Sequence, residues 1–119
     1  MALEVLRHAL PPDVTVLVIR GRVTLGIDTR QLEDTVGELE REGVTRLVFD
    51  LAGVDYMDSA GLGLLTRCAV SMRNSGGAFH LARVNTKVQH LLKVTRLSEM
   101  IPSFASAGEA CEAFGEAPR

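Results

Sequence analysis

Residues 45–74, TRLVFDLAGVDYMDSAGLGLLTRCAVSMRN, change their hydrophobic period part-way along. The first seven, Thr45 to Leu51, are short, apolar and β-branched, which predicts a strand buried on both faces. From Ser59 onward Leu62, Leu65, Ala69 and Met72 recur every three or four positions, and Gly76-Gly77 stop the pattern, so a helix is expected over Ser59 to Asn74. The intervening AGVDYMD, residues 52–58, reads as a loop. A strand that feeds a helix through a loop is the repeating unit of a parallel sheet.

Working outward, the same alternation recurs on both sides. Toward the N-terminus, LEVLRH alternates apolar and polar residues, the stretch from Pro11 to Asp13 breaks it, and VTVLVIRG resumes up to Gly21, which is a hairpin signal. Ile27, Leu32, Val36 and Leu39 then follow a helical period, with Asp28 and Gln31 as a candidate capping box and Gly43 as the stop. Toward the C-terminus, AFHLARV at 78–84 reads as a strand and NTKVQHLLKV at 85–94 as a short helix capped by Asn85. MIPSF is a terminal strand that Pro102 confines to an edge or a bulge. The Ser106–Glu109 spacing starts a last helix that ends near Gly115. The order ββαβαβαβα predicts an α/β fold: a mixed, mostly parallel sheet of about five strands with an N-terminal antiparallel hairpin, and about four helices.

Length and composition bound what this fold could do. A chain of 119 residues is the usual size of one domain, so residues 1–119 are expected to form a single unit. Thirteen basic against fifteen acidic residues give a net charge of −2, and no segment clusters Lys and Arg, so no nucleic-acid partner is expected. Cys68 and Cys111 form no C-x-x-C pair and read as reduced core thiols. Apolar runs of about six residues fall far short of the roughly 18 needed to span a bilayer, so no membrane insertion is expected. No basic n-region with a long apolar stretch opens the chain, and a cytoplasmic location is expected. Met57 and Met72 read as core residues. His80, in a covered strand, and His90, off the apolar stripe of its helix, lack a second ligand at metal spacing, so no metal and no cofactor is expected.

Ser59 stands in MDSAGLG, with four chemical readings. As a hydrolase nucleophile it would need G-x-S-x-G, but Met57 replaces the first glycine. The candidate bases are His8, His80 and His90, and no acid lies between Ser59 and His90. As part of a phosphate cradle, Gly61-x-Gly63 lacks the third glycine, where Thr66 stands, and no G-K-[ST] is present. As an N-cap, Ser59 or Asp58 would satisfy free N–H groups of the helix. The fourth reading is an acceptor that another enzyme modifies.

LVFDLAGVDYMDSAGLGLL, residues 47–65, resembles the signature of STAS domains, and in particular of the anti-sigma-factor antagonists. The resemblance runs from about Val14 to about Phe104 and includes SGGAFHLARV and VQHLLKVTRL. It implies a mixed sheet flanked by four helices. It also implies that Ser59 is phosphorylated by a cognate anti-sigma factor, itself a serine kinase, and that a separate phosphatase restores the hydroxyl. On this view the protein is not an enzyme but a partner switch. Asp58, Ser59, Ala60, Gly61 and Leu62 would meet the kinase, with Thr24 and Asp28 from the segment after the second strand. Unphosphorylated protein would hold the kinase and so release a sigma factor. One departure concerns that segment: the family often carries G-x-[apolar]-Asp there, whereas this chain has Gly21-Arg22-Val23-Thr24. The alternative implied by the family is a STAS scaffold that binds a non-kinase partner in a transport or signalling complex, with Ser59 acting only as a cap.

Overall fold

The computed structural model describes residues 3–11, 13–24 and 26–115, with the side chains of Ile27 and Asp28 outside that description. Its elements are β1 (Glu4–Leu10), β2 (Val14–Val23), α1 (Ile27–Arg41), β3 (Arg46–Met57), α2 (Ser59–Asn74), β4 (Ala78–Ala82), α3 (Thr86–Val94), a 3-10 turn at Leu97–Glu99, β5 (Ser103–Phe104) and α4 (Ala107–Glu112). The five strands lie in chain order, β1-β2-β3-β4-β5, in one sheet. β1 is antiparallel to β2, and the remaining pairs are parallel. The expected mixed sheet with an edge hairpin is therefore the observed one.

Alternation along the central strands sends side chains to two unequal cores. Leu17, Ile19, Leu47, Phe49, Leu51 and Leu81 meet Leu32, Val36 and Leu39 of α1, Leu64, Leu65, Cys68 and Met72 of α2, and Val88 and Leu92 of α3. Phe49 is sealed there, its ring edge-on to Phe79 at 4.7 Å. Each such side chain contributes about 1.5–3 kcal/mol through removal from water. The opposite face holds a smaller cluster, Val14, Val16, Val48 and Ala82 beneath Ala110 of α4. His80 anchors α4 on that face: its ring stacks on Phe114 at 3.8 Å, and its Nδ1–H donates to the Ala110 carbonyl at 2.8 Å. The expected strand burial of His80 and core burial of Cys68, Met57 and Met72 hold, while Cys111 is only half-buried.

The largest departure from the sequence reading is β3. The expected loop over 52–58 is strand as far as Met57, because Gly53, Val54, Tyr56 and Met57 pair with Arg20, Gly21, Arg22 and Val23 of β2. Two register shifts, between Val18 and Arg20 and between Gly21 and Arg22, break the simple alternation that the sequence reading relied on. Gly53 marks a close approach and not a turn, since a Cβ there would lie 2.5 Å from Cγ of Arg20.

Two smaller differences are equally local. β4 stops at Ala82 and not at 84, where Arg83 takes a left-handed φ of 55° and its guanidinium forks onto the buried Asp50 at 2.6 and 3.0 Å. The Asp28–Gln31 capping box does not form the start of α1: the N-cap is Gly26, with φ of 146°, and the Thr29 hydroxyl donates to the Gly26 carbonyl at 2.8 Å. The expected caps of Asn85 and Ser106 are present, accepting from Val88 and Glu109 N–H.

Candidate functional site at the start of α2

β3 outruns β4 by the stretch from Leu51 to Met57, and that extension delivers the chain to α2 beyond the covered part of the sheet. Asp58 turns it into the helix. Its N–H donates to the Val23 carbonyl at 3.3 Å, which ties the turn to the end of β2. Its Oδ1 accepts from the Gly61 N–H at 3.0 Å, and its own carbonyl accepts the first helical bond from Leu62 at 3.0 Å. Asp58 is thus the N-cap. Ser59 is the first helical residue, and it is exposed.

Gly61 is what lets the helix start sit so low on the sheet. A Cβ there would lie 2.5 Å from the Val23 carbonyl oxygen and 2.5 Å from Cγ of Met57, closer than packed atoms can stand. Met57 and Val23 are themselves buried, so the floor of the site is close-packed. Gly63 meets only the flexible end of Arg67. Ala60 and Leu62 are half-buried and present part of their surface beside Ser59.

Of the residues expected to meet a partner, Asp58, Ser59, Ala60, Gly61 and Leu62 form this one turn. Thr24 is brought beside it, directly following Val23 whose carbonyl holds Asp58, and is half-buried. Asp28 is the second residue of α1, and its side chain lies outside the described residues.

Sequence reasoning missed the flank. Residues 52–58 read as a loop in the sequence, which gives Tyr56 no strand partner, yet Tyr56 and Arg22 are cross-strand partners. Tyr56 is 46% exposed, and the Arg22 guanidinium lies 4.7 Å from its ring centroid. On the other side a largely apolar groove of about 460 Å³ runs between the β3 extension and α3, lined by Asp55, Tyr56, Met57, Lys87, Val88 and Leu91, among others. Asn85 fixes its width: its Nδ2 donates to the Val54 carbonyl at 2.9 Å while its Oδ1 caps α3. The signal that could have found this groove was Asn85, a side chain with one group to spare after capping.

The sequence matches the family model for the STAS domain over residues 9–110. The chain belongs to the STAS domain family. Among relatives of this STAS domain, a Thermotoga maritima protein provisionally named an anti-sigma factor antagonist is 31% identical over 75 residues, covering 63% of this chain and 66% of the relative. An anti-sigma-B factor antagonist of Staphylococcus epidermidis is 27% identical over 71 residues, covering 60% of this chain and 66% of the relative. The matches therefore span just under two thirds of those proteins' length. Among solved structures, the Thermotoga maritima protein TM1081 superposes with a TM-score of 0.85 at 24% identity over 92% of each chain. The Bacillus cell fate determinant SpoIIAA in its phosphorylated form superposes with a TM-score of 0.73 at 15% identity, over 93% of this chain and 99% of its own. At those identities the superpositions establish the fold. Among the described residues no cluster of His, Cys, Asp or Glu could hold a metal ion, and no helix is long and apolar enough to cross a membrane.

Proposed function

We propose that this STAS domain is an anti-sigma factor antagonist whose partner binding is switched by phosphorylation of Ser59. The observation that carries the proposal is the division of labour at the helix start: Asp58 does the capping, while Ser59, one residue on, is exposed at the first turn. The relatives named as anti-sigma factor antagonists, and a fold neighbour solved in phosphorylated form, support the same reading. The domain is then a substrate and not a catalyst. An anti-sigma factor that is a serine kinase transfers the terminal phosphoryl group of ATP to Oγ of Ser59; the Oγ–P bond forms, the hydroxyl proton passes to a base on the kinase, and ADP leaves. A phosphatase reverses the state by hydrolysis.

Electrostatics give the switch its direction. Phosphorylation adds roughly −1.5 to −2 charges beside Asp58, whose carboxylate already stands at the turn. In the free protein the phosphate stays in water at a helix N-terminus, where the dipole offsets about 0.3–1 kcal/mol of the repulsion. Once a partner packs on the turn, the like charges must be desolvated together, and a penalty of about 3 kcal/mol weakens binding about a hundredfold. Unphosphorylated protein accordingly holds the kinase through Asp58 to Leu62 and the Thr24 to Asp28 segment, and sigma factor is released. Incubation with the cognate kinase and ATP, followed by peptide mapping, tests the assignment. Phosphate on Ser59 that is lost in Ser59→Ala is the expected result, and incorporation at another residue, or none from an active kinase, contradicts it.

A further inference from the structure

β1 is an edge strand, and among the described residues no strand pairs with its outer side. Free edges are commonly blunted by charges, prolines or short length. β1 has seven residues, and its central charge is drawn away from the edge: the Arg7 guanidinium forks onto Glu42 at the end of α1, at 2.8 and 3.3 Å. On the α4 side of the sheet, opposite Val18, Leu6 is left 45% exposed at the edge. Glu4 and His8, two residues to either side of Leu6 and on the same face, are exposed as well.

That pattern is self-complementary. When a strand pairs antiparallel with its own copy about a two-fold axis, residues of the same face oppose each other. Centred on Leu6, the pairing sets Leu6 against Leu6, each Glu4 carboxylate against a His8 imidazole that can donate to it, and Val5 against the aliphatic stem of Arg7. Moving the centre one residue along sets Arg7 against Arg7 and Glu4 against Leu10. Moving it one residue back sets Glu4 against Leu6 and Leu3 against Arg7. Of these three, the Leu6-centred register alone joins apolar to apolar and acceptor to donor on the open face.

We propose that β1 is a self-recognition edge, through which a second copy of this chain pairs in the Leu6-centred antiparallel register and extends the sheet to twice its five strands. β1 is separated from β3 by β2, so this surface is distinct from the Ser59 turn, and the pairing does not depend on the phosphorylation proposal. An interface of one short strand and one leucine pair is small, giving a weak dimer with a dissociation constant of about 100 µM.

Sedimentation equilibrium of the whole chain across that concentration range reads the association directly. Leu6→Lys, Glu4→Lys and His8→Glu are each expected to weaken it at least about tenfold, with unchanged thermal unfolding of the monomer. The decisive sample is an equimolar mixture of Glu4→Lys with His8→Glu. Each alone opposes like with like at both ends, whereas in the mixed pair the new lysine meets the new glutamate and the native pair is kept, so association returns. A protein that stays monomeric up to about 1 mM, an association indifferent to Leu6→Lys, or a mixture that fails to recover would each overturn the proposal.

Discussion

The two halves of β3 have the same neighbour, β2, and opposite fates. From Arg46 to Leu51 all six residues are buried, and Leu47 to Asp50 lie between β2 on one side and β4 on the other. From Ala52 to Met57 β4 is absent, and only Val54 and Met57 remain buried. The first half holds the molecule together, while the second carries the chain out to a place where Tyr56, Asp58 and Ser59 can be met by something else. A strand that outlasts its neighbour thus converts core into platform without any change of element.

Substitutions that separate the halves should differ in what they destroy. Phe49→Ala in the first half, where the ring is fully buried against Phe79, is expected to lose about 3–5 kcal/mol of stability in urea unfolding. Gly61→Val, at the platform's end, forces a side chain against the Val23 carbonyl and is expected to lose about 1–3 kcal/mol and to displace the α2 start, lowering partner affinity as well. Asp58→Ala removes the cap and is expected to lose about 1 kcal/mol by the same measurement. Ser59→Ala, one residue further, should lie within about 0.5 kcal/mol of the parent protein while abolishing phosphorylation. If Ser59→Ala were as destabilising as Asp58→Ala, the division between cap and acceptor would fail.

The covered part of the sheet also carries a pH signature. Burial pushes the His80 imidazole below its ordinary value of 6.5, against a smaller upward pull from its bond to the Ala110 carbonyl. The unfolded chain therefore takes up this proton first as pH falls. The stability associated with neutral His80 is complete above 6.5 and declines below it, toward the depressed value of the folded state. Urea midpoints of the parent protein should fall across that window, and the slope should be shallower in His80→Gln.

Periodicity made most of the fold legible. Leu32, Val36 and Leu39, and Leu65 and Met72, announced their helices because each faces one continuous core. The caps at Asn85 and Ser106 were legible because capping is a local reaction of a side chain with its own helix. What misled was long-range. Gly53 and Gly21 look like loop residues until β2 and β3 are placed side by side, where one gives room to Arg20 and the other, at φ of 113°, adjoins a register shift. Gly26 preceded a helix whose start was placed at Asp28, since nothing in the sequence reports that a φ of 146° is required there. Within the site, Ser59 and its turn were legible from MDSAG, but Tyr56, Arg22 and the α3 groove depend on pairings that no short motif encodes.

The most direct test is calorimetric titration of an anti-sigma factor serine kinase with this protein in two forms, unmodified and stoichiometrically phosphorylated at Ser59. The switch predicts tight binding of the first and about a hundredfold weaker binding of the second, an effect carried by a few atoms at the start of α2. Equal affinities for the two forms would contradict it.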